Sequence, residues 1–282
     1  MGGPNVKLSL SARVAESYED KRMTTMPFDG LAKVTKESGF HAVCMRASAA
    51  GVHTTKEEVL AMRGTLDTLG LDVSMVTGDF SIPMNDKEGP NALRNITPHL
   101  DLANSFRCDL IRVCMKRDED IGWAQRACDE AKEREIRISH QCHHASLFET
   151  VEASLSVIHR VNRVNFGVTY EPANLEACGE EYGESAIRRL APHMFNVYLQ
   201  NQRVNPNGAE ILETWLQGPF HVDNISLDQP GGIDFPAVFD GLAAVGYDGY
   251  VTVHQASAQL MSVPEAARRS AMFLRSLADF VS

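Results

Sequence analysis

The chain has 282 residues, 44% hydrophobic and 23% charged, with a net charge of −10. That is the composition of a soluble globular protein with material for a sizeable core. Its acidity argues against nucleic acid or an anionic membrane surface as the main partner. No apolar run approaches the ~20 residues of a membrane span. The N-terminal stretch lacks the pattern of a secretory signal, and the six scattered cysteines form no CxxC pair. A cytoplasmic protein without disulfides is therefore expected, and Asn-x-Ser/Thr at Asn95 and Asn224 carries no weight.

Taken in order, short β-rich runs alternate with helical stretches. The first runs are "VKLSLS" (6–11), "HAVCMR" (41–46), "LDVSMVTGDF" (71–80) and "CDLIRVCM" (108–115). They are followed by "IRISHQC" (136–142), "VNFGVTYE" (164–171), "MFNVYLQN" (194–201) and "YVTVHQA" (250–256). Several are continuously apolar, as parallel strands covered on both faces should be. Between them, "MPFDGLAKVTKESGF" has Pro27 near its start and Gly39 at its end, and "TKEEVLAMRGTLDTLG" repeats apolar residues at helical spacing and stops at Gly70. "SLFE" (146–149) has the form of a capping box opening the fifth helix, which makes Ser146 and Glu149 structural.

Eight strand–helix units over residues 1–282 predict one domain, a (β/α)8 TIM barrel. The alternative, a doubly wound open sheet, would show a glycine-rich phosphate loop, and neither GxGxxG nor GxxxxGK[ST] is present. Two long connections, 81–92 and 202–234, both follow strands and so rise over the catalytic face of the barrel.

That face lies at the C-terminal strand ends. The last four runs end in Ser139-His140-Gln141, Tyr170-Glu171, Gln200-Asn201 and His254-Gln255. Four adjacent strands thus each deliver a side chain able to bind a metal such as Mn, Fe, Co or Zn.

The stretches "ISHQCHHASLFET", "VTYEPANL", "FNVYLQN" and "GYDGYVTVHQA" resemble the sugar phosphate isomerase/epimerase family of xylose-isomerase-like TIM barrels over essentially the whole chain. In that family the corresponding motifs read Glu-x-His; Asp with a nearby His; His-x-Lys-Asp; and Gly-Tyr-Asp-Gly ending in Glu. Glu, Asp, His and Glu hold the metal. The resemblance places His140 at the first Glu, Glu171 at the Asp, Tyr198 at the His and His254 at the last Glu. A neutral phenol is a poor ligand, so Gln200, two residues on and on the same strand face, is the expected fourth ligand. The expected metal set is therefore His140, Glu171, Gln200 and His254 around one divalent ion. Manganese is the first expectation, with cobalt, iron, zinc or magnesium as alternatives. Losing two carboxylates turns a net negative centre into a net positive one, a stronger Lewis acid.

The resemblance implies a sugar isomerase or epimerase working through an enediolate on a sugar or keto-sugar derivative. The alternatives are a 3-keto-glycoside lyase, an abasic-site endonuclease and a non-catalytic accessory subunit. The endonuclease fits poorly with the charge of −10. A homo-oligomer is expected, a hetero-oligomer being the alternative. Because the family's glutamate bases are gone, His143 is the expected base, with Glu171 the next candidate, and His144 is read as structural. Arg46, Arg112, Asn174 and Arg203 are candidate substrate contacts, although an arginine there serves equally well paired to a neighbouring acid. Trp215 either stacks on a sugar or anchors the seventh connection.

Overall fold

The computed structural model describes residues 6–281. Eight parallel strands close a barrel: β1 Lys7–Ser11, β2 Ala42–Arg46, β3 Asp72–Thr77, β4 Leu110–Val113, β5 Arg137–Gln141, β6 Phe166–Tyr170, β7 Met194–Leu199 and β11 Tyr250–Val253. Each pairs with its sequence neighbour in the barrel, and β1 pairs with β11 to complete the ring. All eight predicted strands form, within a few residues of their predicted ends. Among the described residues, no helix is long and apolar enough to cross a membrane.

Helices pack around the outside, where the apolar face of each strand meets them. The helix Lys56–Leu69 shows how locally this is specified. Thr55 and Glu58 form a reciprocal capping box at its start, and Gly70 closes it in the left-handed region at φ 63°. The fifth barrel helix starts later than "SLFE" predicts. Thr150 caps helix Val151–Val161 by accepting from Ala153 N at 3.0 Å. Ser146 and Glu149 lie in the preceding turn, where Ser146 Oγ donates to His143 O at 2.6 Å.

Side chains alternate along each strand, and the inward set is unusually polar. Ser9 Oγ meets Ser74 Oγ at 2.6 Å, Ser139 Oγ meets Thr169 Oγ1 at 2.9 Å, and Thr252 Oγ1 donates to Asn196 Oδ1 at 3.1 Å. These buried hydroxyls are thereby satisfied within the barrel. The outward set joins the helices in one continuous apolar core.

The connection 202–234 contains structure that its sequence was not expected to hold. Its first part is a three-stranded antiparallel sheet of β8 Gln202–Val204, β9 Glu210–Thr214 and β10 Gly218–Asn224, with β10 in the centre. The sheet stands over the C-terminal mouth of the barrel. Glu149 pins its tip, accepting from Trp215 N at 2.6 Å and Leu216 N at 3.1 Å as well as from Ala145 N at 2.6 Å.

Candidate active site

The mouth holds a cavity of about 180 Å³, walled by the tops of the strands, the hairpin sheet and the turn at 83–85. Arg112, Gln141, His143, Asn174, Gln200 and His254 line it, together with Arg13 and, at its rim, Lys21. Of the residues expected to form the site, the structure brings Arg112, His143, Asn174, Gln200 and His254 together here.

His140 is not among them. Ser139 and Gln141 point into the barrel, so the residue between them points out. Its ring stacks on Phe148, with centroids 4.1 Å apart, and its Nδ1 donates to Gln141 O at 2.6 Å. Burial pushes its pKa down to about 3. His140 is a core histidine, and the inward position at the top of β5 belongs to Gln141, a register one residue later than expected. Gln141-Cys142-His143 has the spacing of the Glu-x-His motif with Gln in place of Glu, a signal the sequence carried.

Glu171 has no exposed surface and sits behind the cavity wall. Its Oε2 accepts from Asn174 Nδ2 at 2.6 Å and from Gln141 Nε2, while its Oε1 has no partner. Burial raises its pKa to about 7. The carboxyl thus orients the two amides that do face the cavity.

His254 is engaged at both nitrogens. Its Nδ1 meets Ser11 Oγ at 3.0 Å, its Nε2 lies 3.4 Å from Arg46 Nη1, and its ring stacks on Tyr198 at 3.8 Å. A guanidinium only donates, so the Nε2 lone pair is already taken. Arg46 in turn is fully buried and forks onto Glu16, at 2.6 Å from Nε and 3.0 Å from Nη2. It is a paired structural arginine, not a substrate clamp. Tyr198 OH lies 3.2 Å from Cys44 Sγ, and burial raises its pKa well above the ordinary phenol value.

These donors do not fit a divalent ion. At the four inward positions, Gln141 Oε1 and Glu171 Oε1 are free, but His254 has no open lone pair and Tyr198 remains a neutral phenol. Gln200 contributes only a weak amide donor. Among the described residues there is no group of three or more His, Cys, Asp or Glu side chains placed to hold a metal. The guanidiniums of Arg13 and Arg112 in the same cavity further oppose a cation.

His143 retains an open nitrogen. Its Nδ1 is 2.8 Å from His144 O; a carbonyl can only accept, so Nδ1 carries the proton and Nε2 is left with its lone pair. Burial first, then His144 and Arg112, hold its pKa well below the usual imidazole value. His144 stacks beside it at 4.4 Å and donates from Nδ1 to Glu213 O at 2.9 Å, tying the barrel to the hairpin.

Besides Arg46, two expected contacts lie outside the cavity. Arg203 donates from Nη2 to Pro230 O at 3.2 Å and stays with its own loop. Trp215 is 54% exposed at the hairpin tip and is held through its backbone, so its ring neither lines the cavity nor anchors the connection. Sequence reasoning passed over Arg13, in the short turn after β1, and Lys21, because neither stands at a strand end.

A closed eight-stranded barrel with a polar, strand-end cavity defines a TIM-barrel protein with its site at the C-terminal mouth. The chain belongs to the xylose isomerase-like TIM barrel family, whose model matches residues 32–277. No curated protein sequence matches it. Three solved structures superpose along nearly its whole length. The probable 3-DHS dehydratase AsbF from Bacillus anthracis is 14% identical, with TM-score 0.73 and 95% and 98% of the two chains covered. A xylose isomerase-like TIM barrel protein from Mycobacterium smegmatis, in complex with magnesium, is 14% identical, with TM-score 0.70 and 96% of each chain covered. A D-allulose 3-epimerase from Methylomonas sp. is 13% identical, with TM-score 0.69 and 99% and 100% covered. Identities this low carry the fold and not the activity.

Proposed function

We propose that the protein is an enzyme that shifts a proton next to a carbonyl in a small polyhydroxylated substrate, with isomerisation between a hydroxy-carbonyl compound and its isomer as the outcome. The observation that carries this reading is the placement of His143. It is a neutral imidazole lining the cavity, with its tautomer fixed by a backbone carbonyl and its Nε2 without a hydrogen-bond partner. Among the described residues, the only imidazoles in the cavity with an Nε2 free of any hydrogen-bond partner are His143 and His144, side by side.

One wall therefore both removes and returns the proton. That suits a transfer between adjacent carbons on one face of an enediol. Epimerisation with inversion would require an acid on the opposite wall, where His254 is engaged at both nitrogens. The amides of Gln141 and Asn174, oriented by Glu171, supply donors for substrate hydroxyls. The same barrel fold hosts a D-allulose 3-epimerase and a probable 3-DHS dehydratase, so the fold is compatible with this reading and the site residues carry it.

The test is solvent deuterium incorporation across a panel of small ketoses, aldoses and hydroxy-oxo acids. Exchange at the carbon next to the carbonyl, with recovery of the isomer, is expected. His143→Asn should reduce it by about 10²–10⁴-fold while leaving the fold intact. Undiminished exchange in that variant overturns the assignment. Release of a leaving group in place of isomer would identify the β-elimination alternative.

A further inference from the structure

We infer that Arg112, with Arg13 at the same cavity, forms a subsite for an oxyanion of the substrate, a carboxylate or a phosphate. The cationic charge of this mouth then comes from guanidinium and not from a metal ion. The inference rests on the isomerase reading and narrows its substrate class to small acids or phosphate esters.

Arg112 is 4% exposed, yet among the described residues its side chain makes no hydrogen bond and no ion pair. Its Nε and Nη1 are buried without partners. A buried guanidinium without a partner costs several kcal/mol, and the other buried arginines of the chain show how that cost is ordinarily avoided. Arg46 forks onto Glu16. Arg63 donates to Phe106 O at 3.2 Å and Leu71 O at 2.6 Å, and pairs with Asp67 at 3.1 Å. Arg112 has no such arrangement, although it stands on β4 at the cavity wall.

Among the described residues no carboxylate pairs with Arg112, and Glu210, on the cover sheet at the same cavity, makes no ion pair with either guanidinium. Glu16 is taken by Arg46 and Ser48. Glu171 is held by Gln141 and Asn174 and makes no ion pair with Arg112. Arg13 adds a second guanidinium without a side-chain partner, its Nε buried and unbonded. The local field is positive enough that Lys21 at the rim is held down to about 8, with Arg13 the foremost cause. Two unpartnered guanidiniums facing a cavity of about 180 Å³ suit a small ligand with a fork of oxygens, which a carboxylate and a phosphate share.

The experiment is thermal unfolding of the full chain, freed of metal by EDTA dialysis, titrated with inorganic phosphate, with glycolate and with neutral glycerol. The wild type should gain Tm with phosphate, glycolate or both, and not with glycerol; whichever acts names the source of the anion. Arg112→Met should be more stable than wild type without ligand and should lose the anion response. Arg112→Gln, which keeps a polar tip, should weaken anion affinity by about 10–100-fold, as expected for a charge-assisted contact. Arg112→Met and Arg112→Gln both less stable than wild type, with the anion response intact, would make Arg112 structural and overturn the proposal. So would stoichiometric Mn²⁺ or Mg²⁺ binding that disappears in Glu171→Gln. Anion binding without deuterium exchange on any substrate would leave the subsite standing and sink the isomerase reading. Exchange on neutral sugars with no anion response would do the reverse.

Discussion

Burial keeps three imidazoles around the mouth neutral in the folded chain. His140 is pushed down to about 3, and His143 and His254 well below 6.5. A group whose folded pKa is depressed in this way stabilises the fold above its unfolded pKa, and that contribution is lost as pH falls below ~6.5. Glu171 acts in the opposite direction. Raised to about 7, it costs stability above that value and returns about 3 kcal/mol as pH falls from 7 toward its unfolded pKa near 4.5. Three imidazoles outweigh one carboxyl, so the protein should lose stability steeply between pH 6 and 4. His140→Phe, which keeps the stack on Phe148, should move the acid unfolding midpoint to lower pH, measured as Tm against pH. An unchanged midpoint would show that His140 is not a proton acceptor in unfolding. The same histidine marks the limit of residue-scale reading. Which of His140 and Gln141 faces inward depends on a one-residue register, and both "SH" and "HQ" end a plausible strand. Partnering is also invisible in a linear pattern: Arg46 and Arg112 occupy equivalent strand ends, and only the structure shows one paired with Glu16 and the other bare.

At the scale of elements, the barrel strands were legible because strands buried on both faces leave continuous apolar runs, with Gly39 and Gly70 punctuating the helices between them. The cover sheet was not. Its strands are half exposed, carry charged and polar residues on both faces, and sit among Pro, Asn and Gly that read as loop. Its base is tied to the barrel through Gln202 and Asn224, which donate to Ala173 O at 2.8 Å and Ala256 O at 3.0 Å. Its tip is held more narrowly, with Glu149 accepting two hydrogen bonds and Glu213 O accepting a third from His144. Glu149→Ala removes the acceptor for three backbone N–H groups, each bond to a carboxylate worth ~1.5–3 kcal/mol. Amide hydrogen exchange at 210–217 should accelerate by tenfold or more, with amides of β1–β7 little changed. KM should rise more than kcat falls, since the cover shapes the cavity while His143 remains on the barrel side. Equal acceleration throughout the barrel would show that Glu149 supports the whole fold and not the cover.

For the whole molecule, the architecture and the family frame could be read from eight runs and four motifs, since the frame repeats a pattern that packing enforces. The chemistry of the mouth could not, because the positions that would hold a metal carry residues whose roles depend on neighbours from five different strands. One property of the entire chain follows from where its sulfur atoms lie. All six cysteines are free and buried, and burial is the largest cause raising each thiol's pKa, to about 11 or 12 at all but Cys44. Because only a thiolate reacts, an aromatic disulfide reagent at pH 8 should modify none of them quickly in the native protein and all six once the chain opens. Cys114, in a small cluster with Ile82 and Ala92 apart from the main core, should react first as the 81–92 segment loosens. The other five should follow at a common rate set by global opening. The sulfur atoms thus form a native stopwatch: without any added label, the order in which they are spent records the order in which the barrel comes apart.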